Sequence, residues 1–104
     1  MKEIDVQNSI RLALNDHAVI FRANVGTFKT DDGRVVSTGL PPGFSDLFGY
    51  RKSDGRAVFI EVKTAKGRPS EKQKHFIEQM QKNGAIAGIA RSPEEAIELV
   101  TRPG

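Results

Sequence analysis

The chain has 104 residues, 38% of them hydrophobic and 28% charged, with no cysteine and a formal charge of +3. One ordinary domain fits this length and a separate recognition module does not, while the absence of cysteine excludes disulfides, thiolate catalysis, zinc-thiolate sites and iron–sulfur clusters. The mild basic excess permits a polyanionic partner without requiring one, and the polar start (Met1 to Asp5) with no apolar run of membrane-spanning length predicts one cytoplasmic domain over 1–104.

Residues 3–15 predict a helix, because Val6, Ile10, Ala13 and Leu14 recur at helical spacing and Asn15-Asp16-His17 supplies a stop. Residues 18–24 read as a strand rich in β-branched and aromatic side chains. Asp32-Gly33, between Thr27-Phe28-Lys29-Thr30 and Arg34-Val35-Val36-Ser37, signals an inserted hairpin over about 27–38. Gly39-Leu40-Pro41-Pro42-Gly43 is irregular. A strand at about 45–50, a turn at Ser53-Asp54-Gly55, a strong strand over 58–63 and a loop at Lys66-Gly67-Arg68-Pro69 follow. Ser70 N-caps a helix that reaches Asn83 and is ended by Gly84. Residues 85–90 form a short, almost wholly apolar strand, as where both sheet faces are covered. Ser92-Pro93-Glu94-Glu95 combines an N-cap, a proline at the first helical position and a capping-box glutamate, opening a helix over 93–100. The order α-β-β-β-α-β-α, with the inserted hairpin, predicts an α/β fold with a mixed central sheet flanked by helices.

Polar residues on faces that should be buried carry the functional signal. In the strand at 58–63, Val58, Ile60 and Val62 point one way, and Phe59, Glu61 and Lys63 the other. A turn centred on 53 and 54 sets Asp46 opposite Glu61; one centred on 54 and 55 sets it opposite Lys63. Either register gathers Asp46, Glu61 and Lys63 on one face, with opposed Cβ atoms about 5 Å apart. Two carboxylates at that spacing resist ionising together. A hard cation, Mg²⁺ or Mn²⁺, relieves the conflict and leaves room for waters and a phosphate. The Val62 carbonyl is near enough to be a further ligand. Lys63 could hold or deprotonate an attacking water, or meet charge developing on phosphorus. A plain salt bridge between Lys63 and either carboxylate is the competing reading. Gln73 extends the apolar stripe of Phe76, Ile77 and Met80, and also completes a capping box with Ser70. Glu3 and Gln7 fall on the buried stripe of the first helix, where polar groups need partners; a frayed terminus is the alternative for Glu3. Arg22 and Asn24 share a strand face and could contact a phosphate or cap the sheet edge. His17 and His75 have no companions at ligand spacing.

Gly43-Phe44-Ser45-Asp46-Leu47, Glu61-Val62-Lys63, Gln73, Glu3 with Gln7, and Arg22-Ala23-Asn24 with Gly26 together resemble the PD-(D/E)-x-K nuclease superfamily. Within it they resemble the virus-type replication-repair nuclease (VRR-NUC) family, over about residues 1–100. Ser45 stands where the superfamily's name has proline. The resemblance implies a restriction-endonuclease-like core and a Mg²⁺- or Mn²⁺-dependent nuclease that cuts DNA phosphodiesters by water attack. It implies metal held by Asp46, Glu61 and the Val62 carbonyl, with Glu3 as an outer or second-metal ligand. Lys63 would then be the catalytic lysine and Gln73 would orient the water or the lysine. It further implies a phage or bacterial homodimer acting on branched DNA such as four-way junctions, in replication, repair or recombination. Gln7, Arg22, Asn24, Lys29, Arg34, Lys52, Lys66 and Arg68 are the candidate DNA contacts, and the hairpin is the candidate region for dimer or DNA contacts. A nuclease-fold protein that holds DNA without cutting it, or a structural partner of another protein, are the competing classes.

Overall fold

Period-two and helical apolar patterns sort the chain into one main sheet with helices on both faces, beside a separate hairpin. The computed structural model describes residues 2–24 and 27–103; Gly26 lies outside them. In chain order the elements are α1 (Glu3–Leu14), β1 (Ala18–Arg22), β2 (Thr27–Lys29), β3 (Val35–Ser37), β4 (Leu47–Arg51), β5 (Ala57–Val62), α2 (Glu71–Lys82), β6 (Ile86–Ala90) and α3 (Pro93–Thr101). The main sheet runs β1-β4-β5-β6. β1, β4 and β5 are antiparallel, whereas β5 and β6 are parallel. A parallel pair needs a crossover, and α2 provides it. No helix among the described residues is long and apolar enough to cross a membrane.

Val58, Ile60 and Val62 of β5 are fully buried against α1 and α3, in a cluster with Val6, Ile10, Leu14, Leu47, Ala96 and Val100. The alternate side chains face α2. There Phe59 meets Phe76 of α2 and Phe44 of the segment before β4, with ring centroids 5.0–5.8 Å apart. The chain reaches this cluster through Gly43, whose φ of +87° favours glycine and whose missing Cβ would lie 2.5 Å from the Lys72 carbonyl oxygen of α2.

Leu47 pairs with Ile60, which places the turn centre at 53 and 54. One step outward, the same register sets Asp46 opposite Glu61, resolving the two alternatives in favour of the first. β1 ends at Arg22, two residues before the predicted strand, and Ala23 N–H donates the last rung to the Asp46 carbonyl. The hairpin forms as expected, around a three-residue loop closed by Thr30 and Arg34, with Gly33 at φ +86°. Among the described residues it pairs with no strand of the main sheet, and all six of its strand residues are exposed. Ser92 caps α3, but Glu95 reaches one residue further back than expected, accepting from Arg91 N–H at 2.7 Å.

Candidate active site

Three elements end at one point. Asp46 immediately precedes β4, Glu61 lies near the end of β5 on the α2 side, and Glu3 opens α1. An oxygen from each of these carboxylates lies within 4.8 Å of the others. Each partner on the α2 side is tied to a ring of the aromatic cluster by local geometry. Phe44 and Asp46 are two residues apart, Phe59 and Glu61 are neighbours on one strand face, and Gln73 and Phe76 are one helical turn apart. The ring cluster therefore sets the spacing of the polar groups above it.

Glu61 is 1% exposed. Its Oε2 accepts from Gln73 Nε2 at 3.0 Å and lies 3.3 Å from Lys63 Nζ. Its Oε1 is buried with no protein partner. Burial first, and the adjacent Asp46 second, push the Glu61 pKa up to about 7 against the pull of Lys63. Asp46 Oδ2 accepts from Val62 N–H at 2.9 Å, which fixes its carboxylate over the end of β5.

Gln73 fulfils both readings of its position. Its carbonyl oxygen accepts from Ser70 N–H at 2.8 Å and Ser70 Oγ accepts from Gln73 N–H, completing the capping box. The other end of the same amide donates to Glu61. A side-chain amide has separate donor and acceptor ends, so capping and positioning do not compete. Glu3 is a correction to the buried-stripe expectation. It is exposed, in the first turn of α1, and yet its carboxylate reaches those of Asp46 and Glu61. Gln7, one turn on, is 9% exposed, and its Oε1 lacks a partner. Ser45, next to Asp46, is fully buried with an unpartnered Oγ, a feature its place before an acidic residue did not reveal.

Among the described residues, all three buried side-chain atoms without partners belong to the carboxylate site or to residues adjoining it in α1 and before β4. Buried oxygens in such a state call for a cation or ordered water. The donor set of three carboxylates, two of them forced together by the register, fits a hard divalent cation.

The other expected contacts are dispersed. Arg22 stands opposite Leu47, on the α1 side of the sheet, and Asn24 lies just beyond the strand; both are exposed. Lys29 and Arg34 are on the hairpin, where Arg34 pairs with Asp32 at 3.0 Å. Lys66 and Arg68 are exposed in the loop after Lys63. Lys52 sits at the opposite end of the sheet, roughly 20 Å along β4 from Asp46. There its Nζ donates to the Asn15 carbonyl at 2.7 Å and caps the end of α1, so it does not join the cluster.

The family model that matches the chain, over residues 28–94, is that of the VRR-NUC domain. The matched stretch includes Asp46, Glu61, Lys63 and Gln73. A solved structure described as a VRR_NUC domain protein superposes with a TM-score of 0.59 over 96% of this chain and 85% of that one, at 18% sequence identity. No curated protein matches.

Proposed function

The chain belongs to the VRR-NUC family, and from the carboxylates gathered at the sheet end we propose that it is a divalent-metal-dependent DNA endonuclease. Its substrate would be branched DNA such as a four-way junction, met in replication, repair or recombination in the cytoplasm of a bacterium or phage-infected host. The observation that carries this reading is the convergence of Glu3, Asp46 and Glu61 oxygens within 4.8 Å of one another, with Glu61 Oε1 buried without a protein partner and Glu61 Oε2 lying 3.3 Å from Lys63 Nζ.

Asp46 and Glu61 would hold Mg²⁺ or Mn²⁺, with the Val62 carbonyl as a further ligand and Glu3 at the outer edge. When bound, the ion would polarise the scissile phosphate and lower the pKa of a nearby water. Gln73 fixes the Glu61 carboxylate through its amide, and Val62 N–H fixes that of Asp46. Lys63 orients the attacking water and meets the negative charge that develops on the phosphate oxygens. Water adds to phosphorus, the bond to the 3′ oxygen breaks, and that oxygen leaves as a hydroxyl, with the phosphate retained on the 5′ end. Gln7, Arg22, Asn24, Lys29, Arg34, Lys66 and Arg68 supply contacts that position the duplex arms without reading sequence. A homodimer would present two such sites to a two-fold substrate. The exposed Phe28, Val35 and Val36 of the hairpin offer apolar surface for its assembly.

The test is cleavage of labelled four-way, flap and linear duplex DNA with Mn²⁺ and with chelator. Branched substrates are expected to be cut only with metal, and Asp46→Ala and Lys63→Ala to lower the rate by at least about 100-fold. Cutting that persists in chelator, or in both variants, overturns the reading.

A further inference from the structure

Between the loop after β5, the first turns of α2 and Arg91 just past the end of β6 lies a cleft of about 610 Å³. Four of its lining residues are cations (Lys66, Arg68, Lys74 and Arg91), and none of the others is acidic. Arg91 is the unusual member. It is half-buried, and its Nη1 donates to the carbonyls of Thr64 and Gly67, both at 2.6 Å. Those two bonds occupy one nitrogen of the guanidinium and leave the three N–H donors on Nε and Nη2. Among the described residues no carboxylate pairs with this guanidinium.

The nearby Glu95 carboxylate accepts from the Arg91 backbone N–H at 2.7 Å and not from the guanidinium, so the donors on Nε and Nη2 remain as a planar fork suited to an oxyanion. Lys74 has a carboxylate neighbour in Glu71 at 3.3 Å, but Glu71 is 92% exposed and such a pair is worth little. The cleft also adjoins the proposed chemistry. A Cβ placed on Gly67 would lie 3.5 Å from Lys63 Cδ, so the loop that Arg91 clamps passes close beside the side chain of Lys63.

We propose that this cleft is a phosphate subsite in which Arg91, Lys66, Arg68 and Lys74 hold a phosphodiester of the DNA strand next to the one being cut. The proposal takes its ligand from the nuclease reading above. Arg91 is both a ligand-binding residue and a positioning residue, since its carbonyl bonds fix the loop from 64 to 67.

The experiment measures binding of four-way DNA in chelator across a salt series, for wild type and for the triple variant Lys66→Ala/Arg68→Ala/Lys74→Ala. These changes leave Arg91 and its loop clamp intact. Weaker binding is expected, with the log–log salt slope reduced by about 3. In parallel, pyrophosphate is titrated into the protein while the Ala65 and Gly67 amide resonances are followed. Saturable shifts are expected in wild type and not in the triple variant. An unchanged slope and affinity overturn the subsite even if the wild type cuts DNA only with metal. Pyrophosphate binding without any effect on DNA binding overturns the DNA assignment in favour of a small phosphate ligand. A reduced slope in a protein that never cuts DNA leaves the subsite standing and removes the nuclease reading instead.

Discussion

Glu61 and Gln73 show how single side chains carry the site. The Glu61 pKa, pushed up from about 4.5 to about 7, lies above its unfolded value. Its contribution to the stability of the metal-free protein is therefore complete below about pH 4.5 and is lost as pH rises through about 7. Glu61→Gln replaces the buried charge with a neutral group of nearly the same shape. At pH 8 the metal-free variant is expected to be more stable than the metal-free wild type by about 1–3 kcal/mol, with a higher Tm, and to lose the metal-induced rise in Tm. A lower Tm for the metal-free variant would contradict this account of the site. For Gln73 the two ends of the amide can be separated by mutation. Ser70→Ala removes a cap interaction alone and should cost about 1 kcal/mol with the cleavage rate retained. Gln73→Ala should cost a similar amount and lower the metal-dependent rate as well. Denaturant melts and rate measurements on the same pair of variants check it.

At the scale of elements, the spacing of the site is set by the ring cluster of Phe44, Phe59 and Phe76 and by the close passage of Gly43 over α2. Gly43→Ala adds a Cβ against the α2 backbone at a positive φ. It is expected to destabilise the fold by about 2–4 kcal/mol in urea denaturation; a neutral result would mean that this passage does not fix the segment carrying Asp46. A second element-level tie lies at the far end of the sheet. Arg51 donates to Asp54 and to the carbonyls of Val100 and Arg102, joining the β4–β5 turn to the end of α3. The Arg51 hydrogen bond, with help from the Arg56 backbone N–H, draws the Asp54 pKa down to about 2. Its stabilising contribution is present above about pH 4 and is lost as pH falls towards 2, so Asp54→Asn should flatten the acid limb of a plot of Tm against pH. The elements were legible in the sequence because apolar periodicity, the caps at Ser70 and Ser92 and the turn residues all agree. The register was legible only to two alternatives, because Ser53-Asp54-Gly55 accommodates either turn centre. The Arg91 clamp and the buried hydroxyl of Ser45 were not legible. The carbonyls that Arg91 holds lie 24 and 27 residues away in the chain, and the burial of Ser45 depends on packing that no local pattern encodes.

The whole molecule is elongated, 48 × 32 × 25 Å, with a radius of gyration of 14.2 Å against about 13 Å for a compact chain of this length. The hairpin stands apart from the main sheet, and an isolated two-stranded hairpin is marginal in water without a surface to rest on. A homodimer should therefore show twice the 11.4 kDa chain mass by light scattering, and a Phe28→Ser/Val36→Ser variant should shift towards the single-chain value. The charge of +3 also acquires a distribution at this scale. Three carboxylates are drawn to one end of the sheet and four cations line the adjacent cleft, an arrangement suited to a metal beside a phosphate backbone. Whether these carboxylates form a cation site separable from the lysine that uses it is decided by calorimetric titration of Mn²⁺ into three proteins. Mn²⁺ should bind saturably to wild type, fail to bind Asp46→Asn, and still bind a Lys63→Ala protein that no longer cuts DNA. Equal binding in wild type and Asp46→Asn, or no binding to wild type, would contradict such a site.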